Sequence, residues 1–296
     1  MSLNPNIALI GPGAIGTTIA AALHEVGRTP TLCGRTSHSQ LKLRYDGGQN
    51  IVPGPVQIDP GAIVRPVDLV FVAVKATQVN AVAPWLANLC NENTVVCALQ
   101  NGVEQVSQLA PYVCGATVLP SVVWFPAQRE PDASVWLRAE PRLTLPDASQ
   151  ANLVLSALKG TRCSVELAAD FISIAWRKLL QNAVAGLMVL ANRRAGMYTR
   201  ADISKLALAY LEECLTVARA EGATLSDNVL QEIVGGFQRA PADLGTSILA
   251  DRQANRPLEW DIRNGVVQRR GRAHNIPTPL SDVIVPLLAA GSDGPG

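Results

Sequence analysis

The chain opens with an apolar run that leads into three closely spaced glycines: Ile7-Ala8-Leu9-Ile10-Gly11-Pro12-Gly13-Ala14-Ile15-Gly16. The glycines follow the pattern G-x-G-x-x-G, and an alanine-rich segment continues to Val26. In a strand-to-helix turn, Gly11 permits the tight bend, Gly13 leaves room for a pyrophosphate, and Gly16 lets the helix pack on the strand. The N–H groups at the helix start favour an anion. The pattern therefore predicts that Gly11 to Gly16 bind a dinucleotide, with a purely structural turn as the alternative.

The end of the second predicted strand indicates which dinucleotide is bound. About 20 residues after the glycine loop, NAD-binding chains carry an acid that accepts the ribose 2′-OH. This chain instead has Gly34-Arg35-Thr36-Ser37, a guanidinium followed by two hydroxyls. A guanidinium suits a 2′-phosphate because it binds phosphate oxygens in pairs. We therefore predict NADP(H) and assign Arg35 to its phosphate, with a solvated surface arginine as the alternative.

The composition excludes several classes of function. The 296 residues are 48% hydrophobic and 17% charged, which is enough apolar material for two domains. A net charge of +1 and few aromatic side chains argue against nucleic acid as a partner. The longest apolar run, residues 183–191, is about half of the roughly 20 residues that a membrane span needs. Because the N-terminus also lacks an export signal, we expect no membrane partner and a cytoplasmic location.

The cysteines and histidines do not form a metal-binding pattern. Six cysteines are scattered without a C-x-x-C pair, and the three histidines lie far apart in the sequence. We predict no metal, and we expect the thiols to be small buried side chains.

The order of predicted elements divides the chain into two domains. Apolar runs alternate with helical patterns in the first half, which predicts an α/β fold with a Rossmann-type parallel sheet, with extra strands at one edge over residues 117–146. From Asp170 onward the pattern is helical. We predict an NADP-binding domain over residues 1–167, an all-α substrate and catalytic domain over 168–290, and a mobile tail over 291–296.

Two polar residues follow predicted strands of the first domain. Lys75 comes directly after the apolar run 69–74, and Asn101 follows the next run in an Asn101-Gly102 pair. Ligands bind at the carboxyl ends of parallel strands, so both are candidates for contacts with the cofactor or substrate. Each also has a simpler interpretation, because lysines at strand ends are commonly solvated and Asn-Gly is a strong turn signal.

The helical domain carries a lysine and an acid that could perform chemistry. Lys178 and Asn182 lie four apart on one helix face, beside an apolar segment that must be buried. Desolvation would lower the pKa of Lys178 from about 10.4, as a general acid requires, unless the side chain snorkels to water. Glu259 follows Pro257 at the start of a predicted helix, where interaction with the helix dipole alone would explain it.

Taken in order along nearly the whole chain, these motifs resemble the 2-dehydropantoate 2-reductase (ketopantoate reductase) family. The matching positions are the glycine loop, Arg35, Lys75 in Val74-Lys75-Ala76-Thr77-Gln78, Asn101-Gly102, Trp176-Arg177-Lys178-Leu179, Asn182, Ser247, Glu259 to Gly265, and Arg269 to Pro279. So many separate motifs in the family's order make this resemblance specific.

The resemblance implies an activity and a set of site residues. NADPH would deliver a hydride to C2 of a small 2-oxo acid, with Lys178 as general acid at the forming alkoxide. Glu259, the second catalytic residue, would bind the substrate hydroxyl. Asn101, Asn182 and Ser247 would orient substrate and cofactor by hydrogen bonds.

One departure from the family leaves the substrate open. Four residues after Asn182 the family commonly has a second asparagine, whereas this chain has Gly186. A missing hydrogen bond would change which 2-oxo acid is preferred. A reductase of another 2-oxo acid and a non-catalytic NADPH-sensing module are therefore the alternatives. Ser247 could also simply cap the next helix. The apolar helix faces could pack within one chain or across a homodimer.

Overall fold

The computed structural model describes residues 5–294, and the chain divides into two compact units. The first unit is Met1–Phe171 and the second is Ile172–Gly296, so the division lies at the start of a helix. Within the described residues, none of the helices has the length and apolar character that crossing a membrane requires.

The strands belong to the first unit. They are β1 Ile7–Ile10, β2 Thr31–Cys33, β3 Gln40–Tyr45, β4 Gly48–Pro53, β5 Leu69–Val72, β6 Val95–Ala98, β7 Thr117–Pro120, β8 Val122–Val123, β9 Ala127–Arg129, β10 Val135–Leu137, β11 Arg142–Pro146 and β12 Ser164–Ala168. Five of them form the parallel sheet that the sequence predicts, in the order β2-β1-β5-β6-β7. The order changes direction between β1 and β5, and ligands of doubly wound folds bind at the carboxyl ends of strands at such a point.

The extra strands differ from the prediction. Only β7 extends the parallel sheet, whereas the others form a four-stranded sheet, β4-β3-β10-β9, and a three-stranded sheet, β12-β11-β8. The prediction of strands at one edge was therefore too simple. The reason is that β10 pairs with β3, about 90 residues earlier in the chain, and no local pattern encodes such a pairing.

Both faces of the parallel sheet are covered, which explains its uniformly apolar strands. In β1, Leu9 belongs to one buried cluster while Ala8 and Ile10 belong to another, because successive side chains point to opposite faces. The helices of this unit are α1 Ala14–Glu25, α2 Ala83–Leu89, α3 Gln105–Leu109 and α4 Ala151–Leu158. The four-stranded sheet packs on α1.

The second unit is helical throughout its described residues. Its helices are α5 Phe171–Val184, α6 Gly186–Ala191, α7 Ala201–Ala220, α8 Asn228–Arg239, α9 Ser247–Gln253, α10 Val266–Ala273 and α11 Pro279–Ser292. A π-helical turn, Asp261–Gly265, leads into α10. Tyr198 and Tyr210 are fully buried, and Tyr198 stacks on Phe237 with ring centroids 4.9 Å apart.

The predicted tail begins later than the sequence suggests. Helix α11 includes Gly291 and Ser292, and both are held by hydrogen bonds. Arg252 donates to the Gly291 carbonyl at 3.2 Å, and Ser292 Oγ accepts from the Leu258 N–H at 2.9 Å. Polar contacts from α9 and from the segment that follows it thus hold two residues that have no apolar side chain to bury. Residues 295 and 296 of the predicted tail lie outside the described residues.

Candidate active site

The glycine loop sits at the carboxyl end of β1. Gly11 has a φ of 90°, and a Cβ there would lie 2.6 Å from Val74 Cγ1. A Cβ on Gly16 would lie 2.2 Å from the Gly11 carbonyl oxygen. Both positions therefore require glycine, Gly11 for its backbone conformation and its contact with the end of β5, and Gly16 for helix packing.

Gly13 has a different surrounding. No atom lies within 4 Å of the position that its Cβ would take, and its φ of −78° is accessible to any residue. Gly13 precedes the first turn of α1, a helix of 12 residues without an acid in that turn. The space beside Gly13 and the N–H groups at the helix start fit a pyrophosphate. Pro12, Ala14 and Ile15 complete the loop and are partly exposed.

Arg35 lies beside this loop. Gly34 packs on Pro12 so closely that an added Cβ would lie 3.1 Å from the proline Cδ. Arg35 follows directly and is exposed, as are Thr36 and Ser37. The Arg35 guanidinium follows β2, the strand next to the one that carries the glycine loop. A phosphate on the adenosine ribose would lie at this position. The geometry therefore supports the assignment of Arg35, which stays a prediction.

Lys75 and Asn101 follow β5 and β6 at the same edge of the sheet. Lys75 precedes a 3₁₀ helix, Ala76–Val82, and is partly buried. Asn101 lies in a turn that Gln100 and Gln105 hold in place. Gln105 Nε2 donates to the carbonyls of Gln100 and Gly102 at 3.1 and 2.8 Å.

A second bond ties the ends of β5 and β6 together. Gln100 Nε2 donates to the Val74 carbonyl at 3.0 Å, so the segment before Lys75 and the segment before Asn101 are connected. Neither Gln100 nor Gln105 was predicted as a functional residue. Both lie close to the Asn-Gly pair in the sequence, but only the structure shows that they are buried.

Lys178 lies on α5 in the helical unit, beside the buried Leu179 and Leu180. Burial, and after it the positive charge of Arg263, lower the pKa of its ammonium to about 8. This shift favours the interpretation of Lys178 as a buried acid over a snorkelling side chain. Asn182 lies one turn further along α5 and is partly buried.

Arg263 brings Ser247 and Glu259 together. One guanidinium nitrogen, Nη2, donates to Ser247 Oγ at 3.0 Å and lies 3.5 Å from Glu259 Oε2. Ser247 is the first residue of α9, but Thr246 caps that helix by accepting from the Leu249 N–H at 3.4 Å. The simple capping explanation for Ser247 therefore does not apply, because the neighbouring threonine performs that role.

Glu259 also lies in a different place from the predicted one. It precedes the helix, which begins at Trp260 and continues as the π-helical turn. It is 6% exposed, so it is a buried carboxylate rather than a solvated residue at a helix start. Arg263 was missed by the sequence analysis. Its spacing of four from Glu259 was visible, but the burial that makes the pair significant was not.

The structure explains the Gly186 departure. A Cβ at this position would lie 2.8 Å from Asn264 Nδ2 and 3.1 Å from Leu288 Cδ1. Asn264 is completely buried, and its Nδ2 donates to the Ala183 carbonyl at 2.8 Å and to Tyr210 Oη at 3.0 Å. Glycine at 186 therefore makes room for a buried amide.

Models of one protein family match both halves of the chain. The family model described as ketopantoate reductase PanE/ApbA matches residues 7–150, and its C-terminal counterpart matches residues 170–292. Among curated relatives, a 2-dehydropantoate 2-reductase of Mycobacterium tuberculosis is 53% identical over 291 residues, which cover 98% of this chain and 99% of the relative. A 2-dehydropantoate 2-reductase of Caulobacter vibrioides is 33% identical, with 96% and 98% covered.

Solved structures agree with these matches in fold. A dimeric ketopantoate reductase from Staphylococcus aureus superposes with a TM-score of 0.89 at 28% identity, covering 98% of this chain and 100% of that one. A PanE/ApbA family ketopantoate reductase from Ralstonia eutropha gives 0.86 at 27% identity, with 97% and 98% covered. The Rossmann-type sheet, the all-α second half and the family matches together show that this chain belongs to the ketopantoate reductase family.

Proposed function

We propose that this protein is an NADP-dependent oxidoreductase that reduces 2-dehydropantoate (ketopantoate) to pantoate in pantothenate synthesis. Family membership and the 53% identical 2-dehydropantoate 2-reductase of M. tuberculosis support this function. The observation that carries it in this chain is Lys178, an ammonium whose pKa of about 8 suits an acid that acts near neutral pH. The first unit binds the cofactor, and the helical unit supplies the acid and the substrate-binding groups.

The first unit holds NADPH, which supplies a hydride for C2 of the substrate when it is bound. The loop from Gly11 to Gly16 binds the pyrophosphate through backbone N–H groups, because Gly13 leaves the space for it. Arg35 binds the ribose 2′-phosphate and thereby selects NADPH over NADH. Lys75 and Asn101 bind cofactor groups at the carboxyl ends of β5 and β6.

Lys178 supplies the proton for the reduction. Its ammonium donates a hydrogen bond to the ketone oxygen, which polarises the carbonyl before negative charge develops there. As C2 receives a hydride, that is one proton with two electrons, the oxygen takes a proton from Nζ and becomes the hydroxyl of pantoate. Solvent then restores the proton on Lys178. A lowered pKa makes this transfer easier than it would be from an ordinary lysine.

Other polar groups hold the substrate. Glu259 accepts a hydrogen bond from the substrate hydroxyl, and the Ser247 hydroxyl binds the substrate's polar end. Asn101 and Asn182 add amide hydrogen bonds that orient the 2-oxo acid for transfer to one face.

The reaction can be tested directly by the loss of NADPH absorbance when ketopantoate is added, with NADH in a parallel reaction. We expect turnover with NADPH and a much lower kcat/KM with NADH. A panel of other 2-oxo acids shows whether ketopantoate is preferred. Faster turnover of a different 2-oxo acid would replace the proposed substrate. Binding of NADPH with no turnover of any 2-oxo acid would instead identify a sensing module.

The location and assembly are part of the same proposal. All six cysteines lie in the described part of the chain and are free thiols, as is typical of a reducing compartment, so we place the protein in the cytoplasm. A homodimer is proposed because a related ketopantoate reductase from S. aureus is dimeric. Analytical ultracentrifugation tests this assembly, and a single monomeric species would contradict it.

A further inference from the structure

Arg263 is a buried charged side chain that the proposed mechanism does not use. It is 2% exposed. It lies in the π-helical turn Asp261–Gly265, and such turns occur frequently at functional sites. A guanidinium does not lose its charge in a protein, so its burial must be offset by partners.

The partners of Arg263 offset its charge incompletely. The ion pair with Glu259 is long, at 3.5 Å, and the bond to Ser247 Oγ at 3.0 Å is to a neutral group. The buried Nε has no hydrogen-bond partner within the described residues. A buried donor without a partner costs free energy, and native structures keep few of them.

Arg263 lies close enough to Lys178 for its positive charge to act on that ammonium. It adds to the effect of burial in lowering the pKa of Lys178. At neutral pH the two cations and one carboxylate carry a formal charge of +1. A substrate with one carboxylate brings the charge that balances this set, whereas a neutral substrate does not.

Two other carboxylates of the helical unit have partners of their own. Asp251 pairs with Arg256 at 3.0 Å. Glu213 accepts from the N–H groups of Leu280 and Ser281 at the start of α11, at 2.8 and 2.9 Å. Neither contact involves Arg263.

Building on the proposed function, we infer that Arg263 is a specificity-determining positioning residue. Its buried charge selects substrates that carry a carboxylate, and its guanidinium fixes the Ser247 hydroxyl and the Glu259 carboxylate that hold them. The class of substrate is thus a monoanionic 2-oxo acid, discriminated from the corresponding neutral amides and esters.

The test compares ketopantoate with its primary amide, which keeps the ketone and the hydroxyl but has no charge. In Arg263→Met we expect kcat/KM for ketopantoate to fall about 100-fold, because removing one member of a buried charged set is costly. The value for the amide should fall by about tenfold or less, since that substrate loses the positioning of Ser247 and Glu259 but gains nothing from the charge. Arg263→Lys keeps the charge. Its preference for ketopantoate over the amide should therefore be at least about tenfold higher than that of Arg263→Met.

Two further variants make the comparison decisive. Arg269→Met removes an arginine six positions later whose side chain is 45% exposed and pairs with Asp261, and it should leave both values unchanged. Arg263→Gln carries the test if the methionine variant does not fold, with thermal unfolding and NADPH binding as checks of integrity. Equal losses for acid and amide in a folded neutral variant would overturn the inference alone. A wild-type enzyme that reduces neither substrate would overturn the proposed function as well.

Discussion

The candidate site residues of the two units are of different kinds. In the first unit the candidate site is made of backbone. It consists of the N–H groups at the start of α1 and of three glycines, which have no Cβ. In the helical unit Lys178, Ser247, Glu259 and Arg263 come from α5, α9 and the segment around the π-helical turn. A backbone site is encoded within ten consecutive residues, whereas a side-chain site depends on helices far apart in the sequence. Variants in each unit should therefore fail in different ways.

The largest effect is expected at Lys178. In Lys178→Ala we expect kcat to fall about 10³-fold or more, because the alkoxide loses both its stabilising charge and its proton donor. The dissociation constant for NADPH should change by about threefold or less, since the cofactor loop is in the other unit. Stopped-flow turnover and NADPH fluorescence measure the two quantities. Lys205→Ala on the exposed surface of α7 is the control, and an equal loss there or an intact Lys178 variant would contradict the assignment.

Two glycines of the loop should affect different properties, Gly16 the stability of the fold and Gly13 the binding of NADPH. Gly16→Ala places a Cβ 2.2 Å from the Gly11 carbonyl, so we expect a loss of about 3 kcal/mol and a Tm lower by about 10 °C. Gly13→Ala meets no protein atom and should change Tm by about 2 °C or less, yet weaken NADPH binding about tenfold by filling the space for the pyrophosphate. Calorimetry and fluorescence titration measure the two quantities, and an unchanged NADPH affinity in Gly13→Ala would show that Gly13 does not face the cofactor.

Gly186 tests whether packing or substrate binding explains the departure from the family. Gly186→Asn pushes a side chain into Asn264 and Leu288, so we expect it to lower the free energy of unfolding by about 2 kcal/mol. Gly236→Ala in α8, where a Cβ meets nothing within 4 Å, should instead stabilise by about 0.5–1 kcal/mol. Chemical denaturation measures both. A stable Gly186→Asn variant with a higher kcat/KM would restore the interpretation of a missing substrate contact.

The last expected effect, which is small near neutral pH, is a pH dependence that reports the protonation of Lys178 in the unmodified protein. Reduction needs the protonated ammonium, so kcat/KM should decline as pH rises through about 8 and fall about tenfold per unit above it. Oxidation of pantoate needs the neutral amine, so its rate should rise as pH approaches about 8 and level off above it. An ordinary lysine, with a pKa of 10.5, would leave the reduction rate flat between pH 7 and 9, and the oxidation rate would still rise through pH 9. A flat reduction profile over this range would remove Lys178 as the acid.

The residues whose roles could be predicted share one property, which is that nearby residues in the sequence indicate the role. The loop Gly11 to Gly16 could be read because strand, glycines and helix are consecutive. Lys178 and Asn182 could be paired because a helix brings residues four apart to one face. Arg263 and the pairing of β10 with β3 could not be predicted, since burial and strand pairing depend on distant parts of the chain.

The sequence by itself determined the class of fold, the dinucleotide loop and the candidate acid, because turn geometry and helical periodicity act over a few residues. Only the tertiary structure decided the environment of these groups. In the structure Glu259 and Arg263 are buried together, and Thr246 rather than Ser247 caps α9. The Asn264 amide lies where a Cβ at position 186 would point. Desolvation and close packing are properties of the whole unit, since each depends on which distant side chains exclude water from a group.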